Sequence, residues 1–143
     1  MDKPLPYVTA ALLCEKVLQE KDGSLSVIRI ADRVEYRLEG APEGLRPTVT
    51  LAGIVALRSG PVSGDHFLKI IIENPHGDRK EVHRQQMTLA GEDKGQNLIL
   101  NLNLAIEHEG LYWFDVLFDE DLLTRIPLTV LRRQEQTPHE RKN

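Results

Sequence analysis

Five histidines, one cysteine, four serines and an acidic run at Asp119-Glu120-Asp121 are the groups in this chain with chemistry to offer. His66, His76, His83, His108 and His139 show no two at metal-ligand spacing, and Cys14 lies far from all of them. Only His66 and His83 are expected to approach, facing each other across a hairpin centred on Asn74-Pro75-His76-Gly77. A closed zinc site needs a complete set of converging ligands, so no metal is expected. Calcium is the second option, with Asp119, Glu120 and Asp121 as oxygen donors and Asp22, Asp32, Asp65 and Asp78 near other strand ends. It requires roughly six to eight converging oxygens, and no fixed loop pattern supplies them; solvated turn carboxylates are the expectation. Ser24, Ser26, Ser59 and Ser63 fall in or beside turns, where hydroxyls satisfy backbone groups. No nucleophile elbow, phosphate-cradling glycine loop or paired His-Glu helix motif occurs. The chain is therefore expected to be neither an enzyme nor a cofactor carrier.

Trp113 is the residue with most to say about binding. In Leu111 to Phe118, Tyr112, Phe114, Val116 and Phe118 share one face, and Leu111, Trp113, Asp115 and Leu117 share the other. If the first face is the core, then Leu111, Trp113 and Leu117 form an outward apolar stripe. Tryptophan is enriched at binding hot spots, and exposed apolar patches mark partner surfaces. These three residues are the expected partner-binding site. A covering loop, or a bulge that turns Trp113 inward, is the competing expectation.

The elements that must carry these residues are strands. Leu98, Leu100, Leu102, Leu104 and Ile106 recur at period two with Asn101 and Asn103 between them, which lines one side of a strand and would scatter around a helix. Tyr7–Glu20 reads as one long strand. The Asp22-Gly23 turn then leads into a second, Leu25–Tyr36. Residues 39–47 form a long loop, and Thr48–Leu57, Phe67–Glu73 and Lys80–Leu89 alternate again. After the acidic turn, Leu122, Ile126, Leu128 and Val130 are expected on one face, with Pro127 opposite marking an edge position or a bulge. The fold class that follows is all-β: an antiparallel β-sandwich of about eight strands.

With 143 residues, of which 41% are hydrophobic and 28% charged, the chain suits one globular domain rather than a disordered segment. Residues 1–131 are assigned to that domain and 132–143 to a flexible basic tail. The tail carries four basic and two acidic side chains, so the formal charge of −4 divides into −6 for the body and +2 for the tail. An acidic body is a poor partner for phosphate backbones, and no nucleic acid is expected. No stretch approaches the roughly 20 apolar residues of a membrane helix, so no membrane span is expected. One cysteine among Ala10, Ala11, Leu12 and Leu13 reads as a buried inert thiol, and a cytoplasmic location is expected.

Several segments resemble an uncharacterised family of small bacterial β-sandwich proteins. They are Ala10-Ala11-Leu12-Leu13-Cys14-Glu15 with Asp22-Gly23-Ser24, Asn74-Pro75-His76-Gly77, and Gly110-Leu111-Tyr112-Trp113-Phe114-Asp115-Val116 with Ile126-Pro127-Leu128. The resemblance covers most of residues 7–131 and departs at Asp119-Glu120-Asp121, where similar proteins often place an Asp-Gly turn. It implies a single immunoglobulin-like or C2-like domain and brings no activity. The functional expectation is a non-catalytic protein-protein interaction or assembly module, with protein partners or self-association. The alternative is a sandwich that binds calcium, carbohydrate or a headgroup through strand-end loops.

Overall fold

Each strand's inward face is chosen by its period-two pattern, and two such faces close on one another. The computed structural model describes residues 3–37 and 46–133. Among them are nine strands and no helix: β1 (Tyr7–Gln19), β2 (Leu25–Ile30), β3 (Arg33–Tyr36), β4 (Thr48–Arg58), β5 (Ser63–Glu73), β6 (Arg79–Ala90), β7 (Gly95–Ala105), β8 (Gly110–Phe118) and β9 (Asp121–Arg132). A four-stranded sheet runs β2-β1-β4-β7 and a five-stranded sheet runs β3-β9-β8-β5-β6. The β7 leucines Leu98, Leu100, Leu102 and Leu104 pack with Leu13, Leu51, Val55 and Leu57 of their own sheet. Facing them are Leu68, Ile70, Tyr112, Phe114, Val116, Ile126, Leu128 and Val130. This is a β-sandwich whose core is the space between two alternating faces.

Two expectations need correction. Leu25–Tyr36 is not one strand: it breaks at Ala31–Asp32, so β2 pairs with β1 and β3 crosses to lie parallel to β9. The two sheets claim the corner from both sides, because the Ala31 N–H donates to the Leu13 carbonyl and the Thr129 N–H donates to the Asp32 carbonyl. The strand count is consequently nine, and one of the pairings is parallel. Leu122 does not face the core. A bulge opposite Val116–Leu117 inserts one residue into β9, which turns Leu123 toward the core and leaves Leu122 52% exposed. Pro127 sits at an edge position as its missing N–H requires, because β3 covers β9 only from Thr129 onward. Most of the tail assigned to residues 132–143, from 134 on, lies outside the described residues, as does 38–45 of the long loop.

Two local devices hold the end of the sandwich near β8. In the β5–β6 turn, the Asn74 side-chain oxygen accepts the His76 and Asp78 N–H groups at 2.9 Å each, while Gly77 takes φ 88°. Before β8, the Tyr112 hydroxyl donates to the His108 carbonyl at 2.7 Å, the tyrosine-corner bond of immunoglobulin-like sandwiches. Gly110, at φ 132°, lets Pro75 of the neighbouring turn approach so closely that a Cβ there would lie 2.9 Å from the proline ring.

Candidate functional site

The outward face of the five-stranded sheet carries the expected site. Leu111, Trp113 and Leu117 of β8 all point away from the core: Leu111 is 43% exposed and the other two are half-buried. They do not form a continuous stripe. Asp115 stands between Trp113 and Leu117, and Leu117 lies past the bulge, opposite Leu122 of β9 and Lys69 of β5.

Asp115 is the residue the apolar pattern passed over. It is 3% exposed although it faces outward, because two arginines close over it. Arg125 stands directly opposite on β9 and donates from Nε to Asp115 Oδ1 at 2.7 Å. Arg79, from β6, reaches across β5 and donates from Nη1 to Asp115 Oδ2 at 2.8 Å. Both arginines also hold Glu73 of β5: Arg79 Nη1 lies 3.0 Å from Oε1, and Arg125 Nη2 lies 3.2 Å from Oε2. Two guanidinium groups and two carboxylates thus form a closed ring across four adjacent strands, with every carboxylate oxygen engaged. Burial pushes the Asp115 carboxyl up, but the hydrogen bonds from Arg125 and Arg79 outweigh it and hold the group below the ordinary aspartate range. The same bonds raise both arginines further.

The ring also places a guanidinium on the indole. Arg125 Cζ lies 4.5 Å from the centre of the Trp113 ring, a cation–π distance, so Trp113 is on the outward face and not turned inward. Arg125 is fixed from one side by carboxylates and from the other by the aromatic face. Leu111, Trp113 and Pro127 flank the ring on one side. The signal that could have found the ring was the lone Asp in an apolar β8 and Arg125, the lone charge between Leu122 and Leu131 in β9. A register between those strands was needed to make them partners.

The remaining candidates lie elsewhere, and His139 falls outside the described residues. His66 does not meet His83: across the β5–β6 hairpin His66 faces Met87 and His83 faces Ile70. His66 Nδ1 lies 2.7 Å from Asp119 Oδ2 and Nε2 lies 2.7 Å from the Ser63 carbonyl, with the ring packed 4.5 Å from Phe118. The Asp119 hydrogen bond raises the His66 pKa, against the opposing effect of burial. In the acidic turn, Asp119 also accepts the Phe67 N–H at 3.0 Å, and Glu120 accepts Lys69 Nζ at 2.6 Å. The histidines that do meet are His76 and His108, ring centres 4.0 Å apart where the β5–β6 turn abuts the loop before β8. Their approach depends on tertiary docking between turns, which spacing along the chain does not show. Among the described residues no three His, Cys, Asp or Glu side chains group as a metal site would require. Cys14 is buried, and burial raises its thiol pKa.

The sequence pattern of a family of unknown function, DUF6941, matches residues 9–131. That span runs from β1 through the last residues of β9, and so contains both sheets and every member of the ring. The chain belongs to the DUF6941 family. Among curated proteins no sequence matches it. The fold itself recurs. A Pseudomonas fluorescens alkylpurine DNA glycosylase, AlkC, solved bound to DNA, superposes with TM-score 0.53 at 11% identity over 90% of this chain and 31% of its own. A Listeria innocua β-glucosidase gives 0.51 at 8% identity over 87% of this chain and 16% of its own. The CARDB domain of a Pyrococcus furiosus protein, solved with di-metal ions, gives 0.45 at 13% identity over 93% of this chain and all of its own. The chain therefore spans less than a third of the glycosylase and about a sixth of the glucosidase. At these identities the likeness concerns the sandwich alone.

Proposed function

We propose that this DUF6941 protein is a non-catalytic interaction module that docks another protein on the outward face of its five-stranded sheet. The observation that carries the reading is the Trp113–Arg125 stack anchored to the buried Asp115 carboxylate, with exposed Leu111 beside it. Tryptophan and arginine dominate binding hot spots. Here both are held before a partner arrives, so docking loses little side-chain entropy. A ring of two positive and two negative groups carries no net charge, which suits a face that must shed its water. The absence of a catalytic role is supported by His66, whose two ring nitrogens are both tied, and by the sealed Cys14 thiol. Ser59 is committed as well, since its hydroxyl donates to the Glu92 carbonyl and accepts the Lys94 N–H. A cytoplasmic setting accords with a single free, buried thiol.

The test is affinity capture from the source organism with wild-type and Trp113→Ala baits side by side. A stoichiometric partner held by the first and lost by the second, at unchanged circular dichroism, is the expected result. A partner retained equally by both baits would remove this face from consideration.

A further inference from the structure

A sandwich has four sheet edges, and three of these are defended against pairing with another chain. β3 is four residues long and carries Arg33 and Glu35. β2 is bent by Arg29, a non-glycine residue at φ 53°. β6 bears Arg79, Lys80, Glu81, His83 and Arg84, and a register shift opposite Ile70–Ile71 inserts an extra residue into it. Short length, bulges and charge are the devices by which natural sheets blunt their edges.

β7 has none of them. Among the described residues it has β4 on one side and no strand on the other. Its eleven pairings with β4, from Gly95↔Arg58 to Ala105↔Thr48, run without a register shift. Residues 95–106 contain no charge and no proline. Asn97, Ile99, Asn101, Asn103 and Ala105 are exposed on its outward side. At about 3.4 Å per residue the open edge is roughly 37 Å long.

We infer that β7 pairs antiparallel with β7 of a second copy of the chain about a two-fold axis, joining two four-stranded sheets into one of eight. The occupant follows from self-complementarity. Identical strands that carry like charges repel where they meet, and this strand carries none. Asparagine amides are both donors and acceptors, so Asn97 can bond Asn103 of a second copy, which an ionised side chain could not do with its own kind. Full overlap centres the axis on Leu100 and sets Leu98 against Leu102, which keeps all leucines on the core side of the joined sheet. A peptide from another protein would need side-chain pockets along the strand for specificity. The exposed outward side chains of β7 are small or amide ones and Ile99, and a cleft lined by Asn103, Leu104 and Ala105 reaches only its C-terminal end.

Sedimentation equilibrium on the full chain tests this with wild type, Asn101→Lys and Ile99→Lys, each checked for native circular dichroism. Both substitutions place a charge on the open edge at exposed positions. Expected are a wild-type dimer, a dissociation constant raised at least about tenfold in each lysine variant, and no change in Trp113→Ala. The last arm separates this edge from the docking face proposed above, whose failure would leave the dimer intact. A wild type that stays monomeric to about 100 μM, a standard near the weak end of specific association, would overturn the inference. A dimer indifferent to both lysines would do the same.

Discussion

Asp115 and His66 are two titratable side chains held by oppositely charged or polar partners in different ways. Asp115 leaves water almost entirely and regains its hydrogen bonds from two arginines that stay partly hydrated. Removing its charge while keeping its shape should therefore cost less than breaking a fully buried pair, because the guanidinium groups can return to solvent. Asp115→Asn is expected to lower unfolding free energy by about 1.5–3 kcal/mol in urea titrations, the range for hydrogen bonds to charged groups. It should also loosen Arg125 from Trp113, read as a change in indole fluorescence. His66 works through pH. Its folded pKa is raised by Asp119, so its contribution is complete below the unfolded value near 6.5 and is lost as pH rises through the folded value. The Asp119 partner, lowered despite burial by His66 and the Phe67 N–H, loses its share only when acid protonates it. The melting-temperature deficit of His66→Asn should be larger at about pH 5.5 than at about pH 8.5. Equal deficits at both would show that the bond to Asp119 carries no charge.

At the scale of the strands, what the residue pattern conveys is parity. Four alternating leucines in β7 with Ile106 just past its end, and four apolar side chains in β8, are enough to name their core faces. Parity fails wherever one residue is inserted. The bulge in β9 reversed Leu122 and Leu123, and nothing in Asp121-Leu122-Leu123-Thr124 announces it. The break at Ala31–Asp32 was equally silent, since Leu25–Tyr36 is rich in β-branched residues on both sides of it and the competing partners Leu13 and Thr129 divide it. The Gly110–Pro75 approach belongs to this scale too, because it docks the β5–β6 turn against the start of β8. Gly110→Ala would meet the proline ring and take a φ that side chains rarely adopt. A loss of about 1–3 kcal/mol is expected, and an unchanged melting temperature would show that the turn moves aside freely.

Over the whole molecule, the sandwich was legible because its core is built by alternation, whereas the candidate site was legible only in part. Leu111 and Trp113 stood out as large apolar residues on a polar side. Asp115, Arg125, Glu73 and Arg79 come from four strands separated by up to 52 positions, and only the strand order β9-β8-β5-β6 makes them neighbours. The finished molecule presents two unlike surfaces. One is a charge-balanced, aromatic-capped sheet face, proposed for a different protein, and the other is an uncharged edge, inferred to join two copies. The measurement nearest the central claim is capture from the source organism with baits altered at the face alone. Wild type should retain a stoichiometric partner, and Trp113→Ala should lose it while remaining folded and dimeric. If the two baits return the same proteins in the same amounts, the Trp113 face is not where this protein meets its partner.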